Sequence, residues 1–224
     1  RYNKVSWGIK LVLIFSGAFM GLLISSIIFL LCQKQLENLM VMKWLQLIQT
    51  TFTFVLPALA LAYLFGGGVS YLKFTPIRSS FIWLCVILLM PLALPAVNYL
   101  KSLNDMIVLP HFMNGVELWM KQMELQSEVI TEKFLSVTSL RALGLNLLVM
   151  AVIPALGEEL FFRGVLQRVL AEKVNQNVAV WLTAFIFSAI HLQFYGFLPR
   201  FFLGALLGYL FLFSETPYFF KKLI

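Results

Sequence analysis

The sequence predicts an all-α, multi-pass transmembrane helical bundle, and three observations carry that prediction. Of 224 residues, 61% are hydrophobic and only 12% charged, against about 45–50% apolar and 25% charged in soluble globular domains. Mean hydropathy is +0.90. The apolar residues also gather into runs, most of which approach the ~20 residues that a helix needs to cross a hydrocarbon core of ~30 Å. About six spans follow, at Lys10 to Leu31, Trp44 to Phe65, Phe81 to Leu100, Leu140 to Leu156, Val178 to Phe197 and Phe201 to Phe213.

The first run is longer than the ~7–15-residue apolar core of a signal peptide and is soon followed by further spans, so it reads as an anchor. Pro57, Pro91, Pro95 and Pro154 fall inside apolar runs. Each removes a backbone donor and tends to bend its helix, and bent helices open cavities. Between the third and fourth spans, Lys101 to Ser139 breaks the pattern. There Val116, Trp119, Met120, Met123, Val129 and Ile130 recur at helical spacing, with Glu117, Lys121, Glu124, Glu128 and Glu132 between them. This predicts an amphipathic helix over Val116 to Phe134, either lying at the membrane interface or packed on the bundle. In the last span, Gly204 and Gly208 form a G-x-x-x-G pattern that permits close helix packing. No internal repeat or low-complexity tract is visible, and the short connections favour a single membrane-embedded domain over residues 1–224.

The net charge is +7, but the basic residues lie at the ends of apolar runs rather than on one polar face. Membrane topology explains them better than nucleic-acid binding. With a cytoplasmic N-terminus, Arg1, Lys4, Lys10, Lys73, Arg78, Arg168, Lys173, Lys221 and Lys222 fall inside. Lys34, Lys43, Arg200 and the acidic connection fall outside. Cys32 and Cys85 have no paired spacing and read as small packing residues.

Ionisable residues inside an apolar span are expensive and need a reason. The run Ala155 Leu156 Gly157 Glu158 Glu159 Leu160 Phe161 Phe162 Arg163 Gly164 holds three. On a continuous helix Glu159 and Arg163 share a face and can pair. Glu158 is rotated by about 100° from Glu159 and is less readily neutralised by the same arginine. Downstream, His191 follows Phe187 by four residues, which sets the aromatic ring beside it. If the two spans are adjacent, Glu158 and His191 can approach and activate a water for attack on a peptide carbonyl. A structural ion pair, or a proton relay in an ion-coupled transporter, is the competing reading of the same residue types. His111, beside Pro110, reads as a connection residue, and Asn146 as an interhelical hydrogen-bonding group.

Glu158 Glu159 x x x Arg163 followed by Phe187 x x x His191 resembles the CAAX protease and bacteriocin-processing family, also called CPBP or Abi, which includes the prenyl-protein CAAX endopeptidase. The likeness extends through Phe161 to Leu166 and through Leu203 to Tyr209, giving a core region of 139–214. The resemblance implies a membrane-embedded protease in which Glu158 activates water and His191 helps to position it. Glu159 and Arg163 are then the supporting salt bridge, and Phe187 packs the catalytic histidine. The implied substrate is a hydrophobic or lipidated peptide in a lipid bilayer, such as a CAAX-type prenylated C-terminus or a leader peptide. The expected setting is a multi-pass integral membrane protein, the bacterial inner membrane being preferred to the endoplasmic reticulum. A catalytically inactive immunity or scaffold relative is the alternative within the family.

Both glutamate-dependent and metal-dependent mechanisms have been argued for the family. With no HExxH and two widely separated histidines, a three-ligand zinc site is poorly supported. A glutamate mechanism without metal or other cofactor is preferred, with metal dependence left open. The family's further motif, a histidine followed four residues later by asparagine, is missing after Ser214. The expectation is that a stretch containing it, and further spans, are omitted between about Ser214 and Glu215.

Overall fold

The computed structural model describes residues 5–66, 68–72, 80–107, 110–136 and 139–215. They form seven principal helices with no strand among the described residues: α1 Trp7–Leu31, α2 Leu39–Leu64, α3 Ser80–Asp105, α4 Asn114–Leu135, α5 Leu140–Ala171, α6 Gln176–Ala189 and α7 Phe197–Glu215. The multi-pass helical architecture predicted from hydropathy is the one observed. Among the described residues, α1, α2, α5 and the segment Phe194–Phe213 are long and apolar enough to cross a membrane. The third expected span lies within α3. The fifth is where the outcome differs from expectation. The apolar run continues to Phe197, but α6 stops at Ala189 because the chain turns left-handed at Leu192, with φ of 53°.

The chain divides into two compact units, Arg1–Lys73 with Val129–Ala179, and Phe74–Glu128 with Val180–Ile224. In the first unit, α1 buries a narrow stripe of Lys10, Ile14, Gly21 and Ser25. Its remaining surface stays apolar, with Val12, Phe19, Ile27 and Leu30 exposed. Such a helix suits lipid on its outer faces. Asn38 caps α2 by accepting the Met40 N–H at 2.9 Å, and Ser139 caps α5 by accepting the Ala142 N–H at 3.2 Å.

The prolines act locally. Val55 Leu56 Pro57 Ala58 Leu59 and Val152 Ile153 Pro154 Ala155 Leu156 are near-identical segments, and each follows a widened π-helical turn, at Thr51–Val55 and Leu148–Val152. A proline lacks the N–H for the carbonyl four residues back and clashes with it, and a wider turn carries that carbonyl aside. The helices continue through these positions. Asn146, just before the second widened turn, donates from Nδ2 to the Phe134 carbonyl, tying α5 to α4.

One end of this unit gathers the polar contacts. Trp7 Nε1 donates to the Val169 carbonyl at 2.8 Å, Lys10 Nζ lies 2.5 Å from Glu172 Oε1, and Arg168 donates to the Tyr71 carbonyl. Lys10 and Arg168 thus share one end of this unit; Arg1, Lys4, Lys73, Arg78, Lys221 and Lys222 lie outside the described residues. Burial pushes the Tyr71 phenol above the ordinary tyrosine range; nearby Glu172 adds to this and Arg168 opposes it.

In the second unit, Val180, Ala184 and Ala205 form a small core flanked by Phe201, Tyr209 and Leu212. Small residues let α6 and α7 approach closely. A Cβ on Gly204 would meet the Phe187 ring at 3.2 Å and the Ala184 Cα at 3.4 Å. α7 extends to Glu215, and residues 216–224 lie outside those described.

Candidate active site

The acidic candidate residues stand on α5 in the first unit. Gly157 sets its depth, since a Cβ there would lie 2.9 Å from Thr50 Cγ2 and 3.2 Å from Val55 Cγ2 on α2. Phe161 and Phe162 pack against Phe54 with ring centroids 5.6 and 5.8 Å apart. This aromatic contact fixes the rotation of α5 about its axis. Glu158 and Glu159, both half-buried, follow directly after Gly157.

Arg163 is 1% exposed, and its Nε lies 3.4 Å from Glu159 Oε2. It sits in a third widened turn, Phe162–Gln167, whose six residues are all buried. A guanidinium held there without a carboxylate would be a stranded charge. Glu159 supplies the carboxylate from one turn away. Widened turns of this kind occur often at functional sites.

The candidate histidine belongs to the second unit. His191 lies two residues beyond α6, in the turn that precedes α7, rather than inside a span. Its Nδ1 is 2.7 Å from the Phe187 carbonyl oxygen. A carbonyl can only accept, so Nδ1–H donates, and the acceptor character of a neutral ring then resides at Nε2. The Phe187 ring stands nearly perpendicular to the imidazole, at 71° and 5.0 Å between centroids. Phe187 is therefore tied to His191 twice, through its carbonyl and through its ring.

Three residues to which the sequence gave no part in the chemistry support the surroundings of His191. Asn104 of α3, 1% exposed, donates to the Phe194 carbonyl at 2.7 Å and accepts the Leu198 N–H at 3.1 Å. Ser188 donates to the Phe197 carbonyl at 2.7 Å. Gly204 backs the Phe187 ring. Only Gly204 carried a sequence signal, its G-x-x-x-G spacing, which spoke for packing alone. His111 lies in a short turn before α4. Among the described residues, no three His, Cys, Asp or Glu side chains gather into a set able to hold a metal ion.

Comparisons with curated proteins and with solved structures give no match. Comparison with family models gives one, described as type II CAAX prenyl endopeptidase Rce1-like, over residues 141–218. The matched span takes in Glu158, Glu159, Arg163, Phe187 and His191. Residues 141–218 of this membrane protein are an Rce1-like domain of the CPBP family.

Proposed function

We propose that this chain is an intramembrane endopeptidase that hydrolyses a peptide bond near the membrane with a water activated by Glu158 and His191. The observation that carries the reading is the Rce1-like match, whose span contains the two motifs in order. In the proposed reaction Glu158 takes a proton from water as its oxygen bonds to the carbonyl carbon and the carbonyl electrons move to oxygen. When the carbonyl re-forms, the C–N bond breaks and the proton passes to the leaving amine. This is general base catalysis followed by general acid catalysis.

His191 accepts a hydrogen bond from the water at Nε2, a role for which its Nδ1 contact to Phe187 prepares it. Glu159 neutralises Arg163 and holds the helix that carries Glu158. The mechanism is of the glutamate type and needs no metal. Substrates are prenylated CAAX-type C-termini or hydrophobic leader peptides that enter from the bilayer, and the bacterial inner membrane is the preferred setting.

The test is cleavage of a farnesylated peptide by the protein in proteoliposomes. Glu158→Gln and His191→Ala are each expected to lower the rate by about 10²–10⁴-fold while the protein elutes as the wild type does. A wild-type rate in either variant rejects the role given to that residue.

A further inference from the structure

His191 is followed by backbone that needs outside support. Leu192 adopts φ of 53°, a left-handed conformation that a residue with a branched side chain holds only where its surroundings over-determine it. The helices on either side supply part of that support, through the Leu192 N–H to the Ala189 carbonyl at 3.1 Å and Ser188 Oγ to the Phe197 carbonyl at 2.7 Å. Gln193 donates to Ser127 Oγ at 2.7 Å and accepts from Arg200 at 2.6 Å. Among the described residues, Asn104 is a buried side chain from another helix that grips the backbone of the turn at two points, on the Phe194 carbonyl and the Leu198 N–H.

We propose that Asn104 is a positioning residue for His191, pinning the Phe194 to Leu198 turn so that the left-handed Leu192 is retained and the imidazole stays on the Phe187 carbonyl. The proposal rests on the endopeptidase reading for its catalytic consequence, though not for its structural content. Asn104 has the chemistry for the task because a primary amide can donate and accept at once, and the turn offers one carbonyl and one N–H. With Asn104 absent, the Leu198 N–H loses this acceptor and the Phe194 carbonyl keeps only the Phe197 N–H, and the turn is free to relax at Leu192. The ring nitrogens of His191 then exchange roles, and Nε2 no longer stays the acceptor.

The chain has 2 histidines, so a His111→Gln background leaves His191 as the sole imidazole. In that variant of the chain, selectively ¹⁵N-labelled on histidine, ring nitrogen shifts report the tautomer directly. The expected result is an Nδ1–H ring with Asn104 present and a mixture of tautomers in Asn104→Ala. Asn104→Asp keeps the acceptor for Leu198 and loses the donor to Phe194, so it gives an intermediate mixture, and it serves as the test if the alanine variant does not fold. Cleavage should fall about tenfold in kcat for Asn104→Ala with KM within about twofold, the split expected of a group that acts in the transition state. An unchanged ring spectrum in the variant that folds overturns the proposal. If His191→Ala cleaves normally, the endopeptidase role of His191 fails, and the ring spectrum still decides the role of Asn104.

Discussion

Gly21 of α1 lies so close to Phe52 of α2 that a Cβ added to it would fall 2.0 Å from the Phe52 carbonyl oxygen. The contact is with backbone in the widened turn that precedes Pro57, so no side chain can rotate away to make room. Gly21→Ala is expected to force α1 off α2 and to cost about 1–3 kcal/mol, the usual range for overpacking. The check is a thermal midpoint in detergent, with Gly8→Ala, where nothing lies within 4 Å of the added atom, as the tolerated control.

Glu159 and Arg163 are expected to behave differently from Glu158. Arg163 is buried, so Glu159→Gln removes the carboxylate 3.4 Å away and is expected to destabilise the fold, by less than the loss of a fully buried pair because the Glu159 side chain is 40% exposed. Folded yield and cleavage should fall together. Replacing both, as Glu159→Gln with Arg163→Met, should recover much of the yield. Glu158→Gln should spare yield and remove cleavage. Equal yield for Glu159→Gln and Glu158→Gln would dissolve this division of roles.

Gly204 gives a graded test of the support behind His191. An alanine there meets the Phe187 ring at 3.2 Å, which a small ring displacement absorbs, so Gly204→Ala should cleave within about threefold of wild type. Gly204→Val fills the space that the ring occupies. It should displace Phe187 and lower cleavage about tenfold or more, with a midpoint loss of about 1–3 kcal/mol. Rates and midpoints measured on the same preparations separate the two effects.

Tyr71 predicts an alkaline limb. Burial raises its pKa in the folded protein, so the folded state holds the phenolic proton more tightly than the unfolded chain does. The associated stability is fully present below the unfolded tyrosine value of about 10 and is lost as pH rises through the folded value. Tyr71→Phe removes this contribution. Its thermal midpoint should therefore decline less steeply than the wild type's between about pH 9 and 11, and parallel declines would show that Tyr71 contributes nothing.

Much of the fold was legible because hydropathy reports lipid contact directly. The first two apolar runs end at Leu31 and Phe65, and α1 and α2 end at Leu31 and Leu64. The end of α6 was not legible, since Leu192 is apolar and lies inside an apolar run, and nothing in its residue type announces a left-handed turn. The acidic motif could be read from spacing because its two charges are four residues apart on one helix. Asn104 could not. It meets Phe194 across 90 positions of sequence, and a lone asparagine near a helix end carries no sign of a partner so distant. The prolines were read as bends, whereas Pro57 and Pro154 are accommodated by widened turns, a solution that depends on the neighbouring helix and not on the proline alone.

The early end of α6 has a consequence for the depth at which its chain turns. Fourteen helical residues from Gln176 to Ala189 rise about 21 Å, less than the ~30 Å hydrocarbon thickness. A helix of that length, entering from one surface, stops short of the other. Non-helical backbone at such a depth is tolerated where protein or a water-lined cavity satisfies it, and Asn104, Ser188, Gln193 and Arg200 provide polar groups at that point. The same interruption that ends the helix therefore gathers the side chains of Asn104, Ser188, Gln193 and Arg200 around the turn that carries His191, so that protein groups supply the hydrogen bonds which the broken helix no longer provides.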